Sequence, residues 1–456
     1  MSSTLFALFI VFIFTFVFRF IVRPNTREIF TPWIFAVYVF AACAYRFVMN
    51  PKIVHLLLIL IYYLSIAFLL NGFKIKTLGR NKAFLMFIPF VAYQFFAFRW
   101  GMDTKACFYQ WLYVIMYSYA PGYCIASWAM ERENGMVRLL KPVATAIALL
   151  GIVFIFFGAF SGGFAADERV ALGSSYGGDG LNVNSIALIM DFVLMWVAAF
   201  LPMAFQTRMA HSGRLNIMMK SMFAVGSLIA IMVLLKTGSR NGALALVPVF
   251  YYMVFCFKGL SFAKKFAIST FFLVVMAGLV IASGASISSL RIFKYKETYT
   301  EDISNGRTAY HLRIIDSLRS DEKMLGIGSL VGNIYNEDRL PGMANGHSMY
   351  FQIFVQTGYI GSTLFVLAML VFMLSLRGVR PVDGVNWKWL GYTFVLAWML
   401  TGIGESVNYI ADLPSAKTAF GFALALCSQR WVLRKRRMQM PVMPYGGMNP
   451  YGGLMA

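Results

Sequence analysis

Apolar residues in this chain come in long blocks, each cut from the next by a short polar or glycine-containing stretch. A helix needs roughly 20 predominantly apolar residues to cross the hydrocarbon core of a bilayer. By that rule the blocks predict spans near 4–22, 31–49, 53–70, 82–98, 106–128, 143–160, 184–205, 221–236, 241–257, 265–282, 348–376, 388–404 and 415–431. The expected fold is all-α, a polytopic transmembrane helical bundle of about thirteen helices, within a range of about twelve to fourteen. The least marked boundaries are the break at Ser239-Arg240-Asn241 and the start of the last helix after Pro414.

One polar segment is long, 284–346. Within it Ser304-Asn305-Gly306 resembles a helix start, and Tyr310, Ile314, Ile315 and Leu318 then recur at helical spacing. The pattern predicts a short amphipathic helix lying on the membrane face. The tail from Met438 is rich in Pro, Gly and Met without apolar periodicity. The chain therefore divides into an integral membrane domain, 1–437, and a disordered tail, 438–456.

Composition agrees with the pattern: 59% of the 456 residues are hydrophobic and 13% charged, about half the charged share of a soluble domain. The net charge of +21 changes the picture through its placement. Lys74, Lys76, Arg80 and Lys82 crowd one loop; Arg132, Arg138 and Lys141 lie two loops later. Arg208, Arg214 and Lys220 follow, then Lys258, Lys264 and Lys265, then Arg377, Arg380 and Lys388, and finally Arg430, Arg434, Lys435, Arg436 and Arg437. Threading thirteen helices puts all of these on one side, which the positive-inside rule makes cytoplasmic. The N-terminus is then outside, the C-terminus inside, and the loops 161–183 and 284–346 outside. The N-terminus lacks the basic region and small-residue cleavage site of a signal peptide; Arg19 and Arg23 follow the first apolar run instead. The basic residues are too dispersed among spans for nucleic acid. Cys43, Cys107, Cys124, Cys256 and Cys427 show neither a disulfide framework nor metal-ligand spacing.

Candidate chemistry collects on the outer side. Arg169 sits in a Gly/Ser-rich loop. Lys236 and Arg240 flank the break in LLKTGSRNGALAL, and Arg291, Lys294, Lys296, Arg307, Arg313 and Arg319 occupy the long segment. His347 stands where that segment returns to the membrane. The planar arginine fork suits phosphate oxygens, and gathered arginines can hold a diphosphate and stabilise it as a leaving group. Against this, cations near helix ends often only snorkel to lipid phosphates, and a lone His at a helix start is more often structural; His55 and His311 carry less weight still. Arg240 stands apart, because a charge between two apolar blocks is costly without a partner. Asp167-Glu168 and Glu301-Asp302 lack a His at metal spacing and read as solvated pairs. The spans themselves show no charges deep within them, where coupled transporters keep theirs, and no internal repeat is visible.

Three segments resemble, in order, the O-antigen ligase and Wzy polymerase superfamily. Arg169 followed by Asn182-Val183-Asn184-Ser185-Ile186-Ala187 is similar to that family's Arg then Asn-x-Asn-x-x-Ala. Thr237-Gly238-Ser239-Arg240-Asn241-Gly242-Ala243 is similar to its Ser-Arg-x-Gly. Gly306-Arg307, Leu325-Gly326-Ile327-Gly328, His347-Ser348-Met349-Tyr350-Phe351-Gln352 and Gly358-Tyr359-Ile360-Gly361 resemble its Gly-Arg, Leu-Gly-x-Gly, His-Asn-x-Tyr-Leu-Gln and Gly-x-x-Gly succession. Ser348 stands where Asn is usual and Gln356 where Glu is usual, which bears on specificity more than on class.

The resemblance implies a glycan transferase of the bacterial inner membrane, acting at the periplasmic face on undecaprenyl-diphosphate-linked saccharide. It implies an inverting, metal-independent reaction without a cofactor. Arg169, Arg240 and Arg307 would hold the diphosphate, with Arg291 and Arg313 assisting, and His347 would be the general base or orient the acceptor. Implied partners are the lipid-linked oligosaccharide, a glycan or lipid A core acceptor, membrane lipids and a chain-length regulator protein. The extra cations of 284–323 favour a polymerase, which binds two lipid diphosphates, over an O-antigen ligase or a protein O-oligosaccharyltransferase. The reading from another class is a transporter or lipid-linked sugar flippase.

Overall fold

A computed structural model describes residues 24–45, 51–72, 78–97, 100, 119–156, 183–204, 213–237, 240–252, 261–267, 270, 307–328, 348–383, 385–404 and 414–439. Among them the architecture is helical, with no strand beyond an isolated bridge between Val382 and Val385. The first helices are α1 (Pro24–Ala44), α2 (Pro51–Gly72), α3 (Lys82–Ala97), α4 (Tyr119–Glu131), α5 (Gly135–Phe156), α6 (Val183–Ala204), α7 (Gly213–Thr237) and α8 (Arg240–Tyr251). The polar segment supplies α9 (Arg307–Ser317) and α10 (Ser320–Leu325). Then come α11 (Met349–Leu376), α12 (Trp387–Gly404), α13 (Pro414–Leu426) and α14 (Gln429–Gln439). The predicted span 4–22 and most of 265–282 lie outside the described residues.

Stretches of α5 and α11, Gly135–Val153 and Met349–Leu376, are long and apolar enough to cross a membrane; shorter apolar helices include Glu28–Ala44, Lys82–Ala97 and Ile189–Phe200. Leu56, Ile88, Phe96, Ile152, Leu370 and Leu374 turn large apolar side chains outward, as helices do when their solvent is lipid. Two buried hydroxyls bond within their own helices, Ser65 to the Ile61 carbonyl at 2.7 Å and Thr357 to that of Ile353 at 2.6 Å, which satisfies both donors in an apolar setting.

The bundle is centred on α6, which is buried from Ile189 to Phe200 and apolar there on every side apart from Asp191, the pattern of an interior helix. Its Trp196 meets Phe35 of α1 at 5.2 Å, Phe394 of α12 at 5.4 Å and Phe422 of α13 at 5.4 Å between ring centroids. Helices α4 and α13 approach backbone to backbone, since a Cβ at Gly122 would overlap the Thr418 carbonyl and one at Gly421 the carbonyl of Tyr119.

Two sets of contacts define the two ends of the bundle. At one end Arg132 pairs with Glu28, and the Asn134 N–H donates to Asp383 Oδ2 at 3.1 Å. The Arg380 N–H donates to Gln429 Oε1 at 2.7 Å, and Arg80 lies over the Trp431 ring at 4.6 Å. At the other end Trp100 and Tyr93 donate to the carbonyls of Gly326 and Leu325, at 3.2 and 3.0 Å. Helices α3, α11 and α12 each run from one end to the other. The lysine- and arginine-rich loops around Arg80, Arg132 and Arg380 thus share an end, as the charge alternation predicts.

Two features depart from the expected spans. The span 348–376 is not one continuous helix: Gly358, at φ 61° and ψ −165°, breaks it. The span 415–431 turns at Cys427-Ser428 and resumes as α14. Both are tertiary effects that hydropathy does not register.

Candidate functional site

The glycine motifs meet at the break in α11. Gly326 and Gly358 both have positive φ, 80° and 61°, in a region essentially open only to glycine. The Ile327 N–H donates to the Val355 carbonyl at 2.9 Å and the Gly328 N–H to that of Gln356 at 3.0 Å. An unbroken helix would use those two carbonyls internally. A Cβ on Gly358 would lie 2.5 Å from the Gly326 nitrogen. Leu-Gly-x-Gly and Gly-x-x-Gly are therefore two halves of one lock, which ties the polar segment to the N-terminal half of α11.

The amphipathic helix docks beside the lock. Ile314 and Leu318 of α9 bury themselves with Ile327, Phe351 and Val355, and Ile315 packs against them; these are three of the four residues whose spacing predicts this helix. The His311 imidazole stacks on the Phe351 ring, 4.0 Å between centroids and 17° from parallel. In sequence Arg307 precedes His311 by one helical turn and His347 precedes Phe351 by the same number of residues. His311, weighted low from the sequence, is thus a contact residue at the junction of these segments.

The remaining motifs meet around α6. A Cβ on Gly242 would sit 2.9 Å from Ala187 Cβ and 2.8 Å from Leu234 Cδ1. The Ser-Arg-x-Gly glycine therefore lets the start of α8 lie against the alanine of the Asn-x-Asn-x-x-Ala segment. Helix α8 runs antiparallel to α12: Tyr251 neighbours Trp389 at 6.3 Å, and Thr393 Oγ1 donates to the Pro248 carbonyl at 3.5 Å. That register carries Arg240, the first residue of α8, toward the Gly404 end of α12. There Ser348, the residue after His347, caps α11 by accepting the Phe351 N–H and donates to the Gly402 carbonyl at 3.4 Å.

Of the predicted site residues, Arg169, Arg291 and His347 lie outside the described residues, as do Lys294, Lys296 and both acidic pairs. Arg240 and Arg307 are each the first residue of a helix, α8 and α9. Arg313 is exposed on α9. Arg319 is also exposed and is engaged locally, 3.1 Å from Glu322 and 3.6 Å from Asp321.

One expectation is corrected. The predicted spans do hold a deep ionisable residue: Asp191, 1% exposed, lies within the central helix α6. Among the described residues neither of its carboxylate oxygens has a hydrogen-bond partner, and Oδ2 lies 3.5 Å from where a Gly242 Cβ would stand. Hydropathy averaging hid it, because a single acid in a strongly apolar block leaves the window apolar. An ionisable residue inside a predicted span was itself the signal that could have found it.

A helical, apolar protein with cation-bearing segments gathered at one end fits the membrane enzymes that process lipid-linked glycans. Residues 225–366 match the O-antigen ligase family, and this supports the O-antigen ligase and Wzy superfamily, whose members are integral membrane proteins of the ligase and polymerase type. The matched stretch contains Arg240, Arg291, Arg307, Arg313 and His347 and excludes Arg169 and Asp191. No curated protein matches the chain.

Proposed function

We propose that this protein is an inverting, metal-independent glycan polymerase that uses undecaprenyl-diphosphate-linked saccharide at the periplasmic face of the inner membrane. The observation that carries the reading is the convergence of the motif segments on one end of the bundle: Gly242 against Ala187, Ser348 against Gly402, and the Gly326–Gly358 lock beside the His311–Phe351 stack. An acceptor hydroxyl attacks the anomeric carbon while the bond from that carbon to the diphosphate oxygen breaks. His347 takes the hydroxyl proton, for which an imidazole titrating near neutrality is suited. Arg169, Arg240 and Arg307 hold the departing diphosphate, with Arg291 and Arg313 nearby, and bidentate forks stabilise the charge that develops there. A chain-length regulator would act on the same outer face.

Asp191 removes the argument against a coupled transporter that rested on uncharged spans, so the O-antigen ligase match now favours the enzyme over that class. The test is glycan yield and length in a deletion strain complemented with variants, with membrane protein levels measured alongside. Arg240→Ala abolishes product and Arg240→Lys loses most of it, because a point charge cannot replace the fork. His347→Ala loses about 10²–10⁴-fold. Full activity from Arg240→Ala would sink the diphosphate assignment. Saccharide transferred once to lipid A core, with no chain extension, would make the enzyme a ligase instead.

A further inference from the structure

Among the described residues Asp191 is the buried acidic side chain without a hydrogen-bond partner. It lies in the middle of α6, in the stretch Ile189–Phe200 that is buried throughout, with 1% of its surface exposed. Among the described residues no hydrogen bond reaches Oδ1 or Oδ2. A buried carboxylate without a counter-charge is among the most expensive arrangements in an apolar interior, and one retained inside a membrane span is paired or functional. Its neighbour identifies what it serves. Asp191 Oδ2 faces Gly242, at 3.5 Å from the position a Cβ would take, and Ala187, one turn earlier on α6, touches the same glycine. Gly242 is two residues after Arg240 in the first turn of α8. The face of α6 that carries Asp191 is thus turned toward the Ser-Arg-x-Gly segment.

Two basic residues flank the break before α8, Lys236 and Arg240. Two orphaned carboxylate oxygens call for two parallel N–H donors. An arginine can supply these from one edge of its fork while its other N–H groups point elsewhere, whereas a lysine is a point charge that is used up by one such partner.

We infer that Asp191 is a positioning residue for Arg240: its carboxylate pairs with one edge of the guanidinium and aims the other edge at the anionic group of the substrate. The inference rests on the proposed diphosphate role of Arg240, and its test separates the two. Purified full-length protein in detergent, without substrate, is unfolded thermally as wild type, Asp191→Asn, Arg240→Gln and the double variant. Breaking a buried pair on one side leaves a bare charge, so each single variant melts lower and the double variant loses less than the sum. Additive losses, or non-additivity with Lys236→Gln in place of Arg240→Gln, overturn the pairing. Initial rates with lipid-linked saccharide then read the positioning. Asp191→Asn raises the donor KM about tenfold or more, the scale of one charge-assisted hydrogen bond, with a smaller change in kcat, and Asp191→Glu recovers part of the loss. An unchanged donor KM in Asp191→Asn overturns the positioning role. A wild type that forms no product from that donor overturns the proposed function, while the thermal cycle still decides the pair.

Discussion

A methyl group added at Gly358 would meet the backbone of Met324 and Gly326 and would demand a φ of 61° that other residues avoid. The conformation alone costs on the order of 1–3 kcal/mol, and the collision is with backbone, which cannot step aside. Gly358→Ala should therefore release the lock, lowering both glycan yield and the melting temperature of the purified protein. A variant with wild-type yield and melting would show that the lock is dispensable. His311 permits a finer test. Stacking is worth about 0.5–1.5 kcal/mol beyond burial, so His311→Phe should keep most of the activity and His311→Ala should lose a few-fold to tenfold. Equal activity from the two variants would remove the ring contact from the account. The glycines were legible as motif letters, but that Gly326 and Gly358 face each other is a tertiary fact no spacing rule contains. Asp191 was equally legible as a letter; the averaging that recognises an apolar block is also what conceals one acid inside it.

Elements were read from two kinds of periodicity, with different success. Uninterrupted apolar runs marked most of the described helices but placed some starts late. The run at 143–160 belongs to a helix from Gly135 to Phe156, and that at 221–236 to one from Gly213 to Thr237. The helix continues through polar turns that hydropathy excludes, such as the one holding Arg138 and Lys141. The helical spacing of Ile314 and Leu318 predicted both the helix α9 and the face it buries, because a segment outside the bundle has only one apolar partner to find. Helix α10 escaped notice: it is short, polar, and held by the Arg319 N–H donating to Glu322 Oε2 at 2.9 Å. These observations give α9 a testable anchor. Ile314 is fully buried in the small cluster around Phe351, and truncating such a side chain costs about 2–5 kcal/mol. Ile314→Ala should undock α9 and make 284–346 more sensitive to protease added to spheroplasts, with membrane levels unchanged. A cleavage rate equal to wild type would mean that α9 is held by something other than this cluster.

At the scale of the whole molecule, the sequence says which loops belong together and the structure says how they are joined. The charge alternation assigns Arg80, Arg132 and Arg380 to one side; the Arg132–Glu28 pair, the Asn134–Asp383 bond and the Arg380–Gln429 bonds hold those loops at one end. Ser348, Gly326 and Gly402 gather at the other. Sorting the loops does not by itself tell which end faces the cytoplasm; that step comes from the positive-inside rule, which acts during insertion. It can be tested with single cysteines in a background lacking Cys43, Cys107, Cys124, Cys256 and Cys427. Ser329 is the next residue in sequence after Gly328 of the lock, and Gly378 lies in an exposed turn at the opposite end of α11 from the lock. With a membrane-impermeant thiol reagent, Ser329→Cys should label in intact spheroplasts and Gly378→Cys only after lysis. The reverse pattern would invert the topology and put the proposed site on the wrong face for a periplasmic donor. Labelling of both positions from the same side would contradict α11 as a membrane span, because Gly328, the residue before Ser329 in sequence, is bound through the lock to its N-terminal half and Gly378 follows its last turn.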